Sequence, residues 1–574
     1  MYIFSYRRKV KAVFLLFLLF LGVCAARVFY IQFFRSAYLA EIARKQQSLF
    51  VELEPRRGTI YDINMRPQAV NLAVDSFYAS PRDIPAKDKE IIAKKLAPIL
   101  NTTAEFLKEK LTRKKSFVWL SRKVTPQQSE EIKNLKCKGI GWLKESKRCY
   151  PNSYLASHIV GFSGLDNTGL DGIELCFDRY LKGKDGWSLI IRDARQKKLD
   201  LSDKMVAASD GNDIILTIDE VIQYIAEREL DKAFKNYNAQ GASIIVMNPY
   251  TGEILALANR PTFDLNEYSG SHADLRRNRA ICDLFEPGSV FKIVTASAAL
   301  EENKASEEDK FFCENGAWRV ANHVLHDHTP HGWLSFREVF EQSSNIGTTK
   351  VAQLLGGDIV YRYANGFGFG SKLGIDIPGE ISGMLKEPRF WSKNSIAAIP
   401  IGQEVGVTLL QLCAATSVIA NGGNLMKPYI VKEIRDPLGQ PIKRFFPLLI
   451  RKVLSADTAA RIRKILTGVV ESGTGQLAKI PGLRVAGKTG TAQKLEPSGA
   501  YSHNKFIGSF IGFAPAVDPE VVIVVTLDEP HPYYYGGVVA APVFKNVAAD
   551  VLKYLKSTQS YEKIAALHES ERTR

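Results

Sequence analysis

The stretch Glu286-Pro287-Gly288-Ser289-Val290-Phe291-Lys292 runs on into Ile293-Val294-Thr295-Ala296-Ser297-Ala298-Ala299-Leu300. Pro and Gly break the chain, and the Ala-rich run behind them has no polar face. That pattern predicts a helix buried on all sides and starting near Ser289. A serine at such a start lies beside free backbone N–H groups and the positive end of the helix dipole. Lys292 follows one turn later, and burial would depress its pKa until it can accept the serine proton. Ser-x-x-Lys alone more often means a helix cap followed by a solvated lysine. A lysine inside an apolar run is costly without a function, so partners are to be sought elsewhere in the chain.

Two later stretches supply them. Gln342-Ser343-Ser344-Asn345 offers a hydroxyl that can relay a proton and an amide that can hold a substrate amide. Gly487-Lys488-Thr489-Gly490-Thr491-Ala492 reads as a strand whose alternation sends Lys488 and Gly490 to one face and Thr489 and Thr491 to the other. Gly490 removes a side chain and would let a ligand approach the backbone, as an edge strand does when it takes up an extended peptide. Ser-x-x-Lys, Ser-x-Asn and Lys-Thr-Gly in that order are the set of penicillin-binding proteins and serine β-lactamases.

Around this site the 574 residues carry 45% hydrophobic and 24% charged side chains, which predicts a globular chain of two or more domains. The net charge of +15 is spread along the chain, with no basic helix and no aromatic-interleaved motif, and so excludes a nucleic-acid partner. Seven scattered cysteines contain no Cys-x-x-Cys pair; free buried thiols are expected, with a Cys137–Cys149 bridge as the alternative. Residues 1–11 are basic and predict a cytoplasmic tail, and 12–34 predict a single membrane anchor interrupted by Arg27. A cleaved signal peptide ending near Cys24-Ala25-Ala26 is the rival reading.

Residues 40–210 are polar and basic, show no cluster of nucleophile, base or metal ligands, and read as a pedestal or interaction module. From 211 to 556 a helix capped by Asp219, a hairpin over 242–258 and closely spaced strands over 485–527 predict an antiparallel sheet flanked by helices. The whole is α+β and multidomain. Residues 557–574 read as a charged, disordered tail. His323, His326, His328 and His331 have a spacing that could bind zinc, but only Asp327 stands by to complete such a site.

Over nearly its whole length the chain resembles the class B penicillin-binding proteins. The resemblance rests on the anchor, Arg57-Gly58-Thr59-Ile60-Tyr61-Asp62, Tyr150-Pro151, Gly172-Ile173-Glu174, Thr251 to Ala256, Glu286 to Ser289, Gly406 to Gln411 and Tyr535-Gly536-Gly537. The run Arg279 to Asp283 is similar to the cell-division branch, the FtsI type, more than to the elongation branch. Ile63, Met65 and Cys149 depart from the usual pattern. The resemblance implies a peptidoglycan D,D-transpeptidase that needs no cofactor and no metal. In it Ser289 is the nucleophile and Lys292 its base; Ser343 and Lys488 carry the proton, and Asn345, Thr489, Gly490 and Thr491 bind substrate. It further implies D-Ala-D-Ala stem peptides and β-lactams as ligands. An FtsW-type lipid-II polymerase and other division proteins are the implied partners, at the cytoplasmic (inner) membrane with the catalytic domain outside. A β-lactamase, a D,D-carboxypeptidase and a non-catalytic sensor are the competing readings.

Overall fold

The computed structural model describes residues 2–115, 117–192, 198–199, 205–320, 323–496 and 499–572. Two compact units divide the chain, Met1–Arg56 with Gly183–Asp210, and Arg57–Lys182 with Gly211–Arg574.

In the first unit the helix Tyr2–Phe34 takes in both the basic tail and the anchor without a break, because nothing between Arg8 and Ala12 disrupts a helix. Its apolar part, Tyr6–Phe34, is 29 residues long. At 1.5 Å per residue that exceeds the roughly 30 Å of a bilayer core. A helix Ser36–Gln47 follows, and then the strand Ser48–Leu53 pairs antiparallel with Gly186–Arg192.

Among the described residues the second unit contains two large sheets, beside three two-stranded ones. One joins strands Ile60–Tyr61, Pro67–Ala79, Val118–Ser121 and Asp213–Leu216 to Val431–Arg435 and Pro441–Arg444, with Ile140–Cys149 along the other side of Pro67–Ala79. The boundary expected at residue 210 is therefore bridged, since strands from far downstream complete this sheet. Helices Ala86–Ile99, Ala104–Thr112 and Pro126–Asn134 close a small core around Phe77, Leu96 and Leu107. Pro98 lies in the last turn of the first helix, where a missing N–H costs a single hydrogen bond near the end.

The other sheet is antiparallel throughout, in the spatial order Ile254–Arg260, Gly241–Met247, Val521–Asp528, Tyr501–Ala514, Ala486–Leu495. Both faces are covered, which is why the three strands Ile254–Arg260, Gly241–Met247 and Val521–Asp528 are apolar at most positions. Ile244, Val246, Ile523 and Val525 pack under helices Glu220–Asn236 and Ala541–Arg572. Their neighbours Ile245, Met247, Val522 and Val524 pack on the opposite side, against helices Lys292–Glu301 and Leu409–Ala420. Asp219 caps the first of these helices through the N–H groups of Val221 and Ile222, as its position predicts.

The charged stretch expected to be a disordered tail is helical as far as Arg572, because the C-terminal helix continues through it; residues 573–574 lie outside the described part. Cys137 and Cys149 are both free, so the alternative bridge is not formed.

Candidate active site

Pro287 and Gly288 turn the chain so that Gly288–Phe291 forms a single 3-10 turn, and the α-helix begins at Lys292 and not at Ser289. Residues i and i+3 eclipse in a 3-10 turn, which sets Lys292 directly behind Ser289. Gly288 has φ +56°, and a Cβ there would come within 3.0 Å of the Thr491 carbonyl oxygen. Only glycine fits this position. Ser289 is half-buried on the wall of a cleft of about 780 Å³, also lined by Ser343, Asn345, Thr474, Thr489 and Thr491.

Lys292 is fully buried beneath it. Its Nζ donates to the Ser343 carbonyl oxygen (2.6 Å), Asn345 Oδ1 (2.8 Å) and Ser343 Oγ (3.2 Å). Burial lowers its pKa to about 7, against the opposing charge of Asp327. Lys488, on the edge strand Ala486–Leu495, donates to the same Ser343 Oγ at 2.8 Å and to the Thr489 carbonyl at 3.3 Å. Burial first, and the charge of Lys292 second, push Lys488 well below its ordinary value. Two amines that share one hydroxyl with no carboxylate in contact repel each other when both are charged, so the pair favours holding fewer than two extra protons. Such a site can take a proton from a serine and pass it on.

Ser343 holds φ +60°, left-handed backbone that a serine adopts only where its surroundings impose it. Asp327 holds the three residues that follow Ser343. Its Oδ1 accepts from the backbone N–H groups of Asn345 (2.5 Å) and Ile346 (3.0 Å), and its Oδ2 accepts from the Ser344 hydroxyl (2.6 Å). Asp327 thus fixes the start of the helix Asn345–Leu355 and the turn before it. The sequence placed Asp327 only among metal ligands. Among the described residues no three of His, Cys, Asp and Glu converge, and the side chain of His323 lies outside them. His328 instead meets Tyr535 OH at 3.2 Å.

Asn345 is less free than expected. Besides taking the Lys292 bond, it donates one amide N–H to the His326 carbonyl at 2.8 Å, which leaves one N–H for a ligand. Thr489 Oγ1 lies 2.7 Å from Thr474 Oγ1, and Thr491 Oγ1 accepts from the Gly536 N–H at 3.1 Å. Thr474 belongs to Ser472-Gly473-Thr474-Gly475, a run the sequence reading did not single out.

Gly490 differs from expectation. A Cβ there would lie 2.3 Å from Ser509 Oγ on the neighbouring strand, 2.9 Å from Val290 and 3.0 Å from the Pro287 carbonyl, so the space it opens is taken up by that hydroxyl and by the turn that carries Ser289.

An antiparallel sheet between helices, with a serine, two buried lysines and a Ser-x-Asn turn along its edge strand, defines an active-site serine acyl-transfer fold. The profile described as penicillin binding protein transpeptidase domain matches residues 242–549, and that described as penicillin-binding protein dimerisation domain matches 52–216. The chain belongs to the class B penicillin-binding proteins. It is 38% identical over 555 residues to stage V sporulation protein D of Bacillus subtilis, covering 94% of this chain and 85% of that one. It is 31% identical to peptidoglycan D,D-transpeptidase FtsI of Escherichia coli, covering 93% and 90%. The crystal structure of penicillin binding protein 3 from Mycobacterium tuberculosis complexed with aztreonam matches with a TM-score of 0.69, 29% identity and coverage of 88% and 97%.

Proposed function

We propose that the protein is a peptidoglycan D,D-transpeptidase that works through an acyl-enzyme on Ser289. The observation that carries the reading is the shared hydroxyl of Ser343 between two buried lysines with depressed pKa values, set behind a half-buried serine. Lys292 takes the Ser289 proton as Oγ attacks the carbonyl of the penultimate D-Ala of a stem peptide. Ser343 and Lys488 pass a proton to the departing D-Ala nitrogen. Backbone N–H groups of Ser289 and Thr491 stabilise the oxyanion, a contribution of roughly 3–4 kcal/mol per such site. The hydroxyls of Thr489 and Thr491 hold the terminal carboxylate, and the free N–H of Asn345 holds a stem carbonyl. An amine from a second stem then takes the acyl group. A β-lactam enters the same cleft and leaves Ser289 acylated.

The helix Tyr6–Phe34 supports a single-pass anchor with the basic N-terminus inside and the cleft outside. Residues 57–182, with the strands that complete their sheet, serve as the pedestal, the surface for an FtsW-type polymerase and other division proteins. Two sites of action follow from two observations: the Arg279 to Asp283 run supports the division septum, and the 38% identity to a sporulation protein supports the spore wall. Fluorescent imaging of the tagged protein through growth and sporulation separates them. The chemistry is tested by mass spectrometry of the purified protein after penicillin treatment. An adduct on Ser289 that persists for hours is expected; rapid release would instead make the protein a β-lactamase.

A further inference from the structure

The stretch Pro437 to Leu449 is exposed at every residue except Phe445. Five of these residues are large and apolar: Leu438, Ile442, Phe446, Leu448 and Leu449. Leu438 is 85% exposed and Phe446 73%, while Phe445 between them turns inward against Phe177. One exposed apolar side chain is ordinary on a protein surface, but a run of them marks a face that a partner covers. None of the five lines the catalytic cleft.

The same stretch is cationic. From Lys427 to Lys452 the only acids are Glu433 and Asp436. Glu433 is already paired with Arg435 at 2.6 Å and Arg444 at 3.2 Å, and Asp436 accepts from the N–H groups of Leu438 and Gln440 in its own turn. Lys443, Arg451 and Lys452 are exposed and have no ion pair among the described residues. Pro441–Arg444 is also the end strand of its sheet: Val431–Arg435 pairs with it on one side, and no described strand lies on the other. Phe445 donates its N–H inward to the Lys432 carbonyl, so alternation turns the N–H and C=O groups of Ile442 and Arg444 outward.

These features select the occupant. A lipid surface would suit the apolar side chains and the cations, but it offers no row of amides to the outward N–H and C=O groups. A second copy of the chain would set Lys443 and Arg444 against like charges. An extended peptide pairs with the edge through its main chain and meets the cations with carboxylates. We propose that the edge at Ile442–Phe446 takes up, as an added strand, an extended segment of a partner protein that alternates acidic with apolar residues. The carboxylates of that segment answer the unpaired cations, and its apolar side chains cover the exposed ones. Pro441 and Lys443 are devices that guard an edge against indiscriminate pairing, so a partner gains only if its charge answers Lys443. Nothing in this surface depends on the chemistry at Ser289.

The test uses the full-length protein in phosphatidylcholine nanodiscs, with the cleft blocked by penicillin, as the target for random peptides displayed on phage. The selected peptides should alternate Asp or Glu with apolar residues. Their affinity should fall about tenfold or more in I442P, which removes one outward N–H and keeps every charge. It should fall as far in the double variant of K443E and K452E, which reverses two cations. Both variants should be acylated by penicillin at the wild-type rate, because neither touches the cleft. Selected peptides without an acidic excess overturn the proposal, and so does binding that I442P leaves unchanged, since strand addition needs that N–H. A dimer in sedimentation that I442P dissolves assigns the edge to a second copy, and loss of peptide binding in phosphatidylglycerol nanodiscs assigns it to anionic lipid; either result overturns it as well.

Discussion

Arg57 and Arg148 are buried against Glu174, whereas Lys292 and Lys488 are buried against oxygens that carry no formal charge. In the first region Glu174 is fully enclosed, with Arg57 Nε at 2.7 Å and Arg148 Nε at 2.6 Å, and Asp178 takes a second bond from Arg57 at 2.6 Å. Burial acts to lower Arg57, and Glu174 with Asp178 more than offsets it, so its pKa is raised. In the second region the charge of Asp327 offsets burial only in part at Lys292, the charge of Lys292 adds to it at Lys488, and both amines fall. The first arrangement keeps its charges fixed and ties residues 57, 148 and 174 into one structure. The second keeps its protons loosely held and can move them. The same act of burial yields a brace in one place and a reactive site in the other, according to whether a carboxylate is present.

Substitutions that exchange these roles test the comparison. The largest effect is expected at Ser289→Ala, which should abolish labelling by fluorescent penicillin while thermal unfolding is unchanged; retained labelling breaks the assignment. Lys292→Met should slow acylation by about 10²–10⁴, the usual worth of a positioned general base. Stopped-flow kinetics measure this, and the melting temperature should fall only modestly, because the Ser343 carbonyl and Asn345 Oδ1 lose a donor while the desolvation cost of a buried amine is relieved.

Glu174→Ala should do the reverse. Two buried guanidinium groups lose their partner at a cost of about 3–5 kcal/mol, read in calorimetry, while the folded fraction still acylates at the wild-type rate. A fall in acylation per folded molecule would mean that the two regions are coupled. Raising the pH should speed acylation about tenfold per unit below 7 and then level off, as Lys292 loses its proton near pH 7. The sign for stability agrees. An unfolded lysine keeps its proton to about pH 10.4, so from 7 upward the unfolded chain binds more protons and the contribution of Lys292 to stability rises with pH. The smallest effect is expected at Thr474→Val, which removes the hydroxyl beside Thr489 and should raise the KM for a carboxylate-bearing donor a few-fold, with kcat little changed.

Much of this was legible along the chain. The helix behind Asp219, the hairpin over 242–258 and the strands over 485–527 are local patterns, set by caps, turns and apolar runs that the sequence states outright. Ser289, Lys292, Ser343, Asn345 and Lys488 were legible for a different reason, since acyl transfer requires those residue types at short fixed spacings. Asp327 and Thr474 were not. Each acts by touching a residue distant in sequence or in another element, and nothing in its own neighbourhood marks it. Gly490 shows the opposite failure. Its lack of a side chain was plain, but what fills the space was not, because Ser509 reaches it from the paired strand and Val290 and Pro287 from about 200 residues upstream.

The sequence by itself determined the apolar helix, the antiparallel sheet and the Ser-x-x-Lys turn proposed to carry the nucleophile, because each depends on residues within a turn or two of one another. Only the tertiary structure decided that two lysines 196 positions apart meet at one hydroxyl, and that Asp327 ties down Ser344, Asn345 and Ile346 immediately after it. The physical reason is desolvation. A side chain's chemistry in this cleft is set by what excludes water from it, and the residues that do so come from every part of the chain.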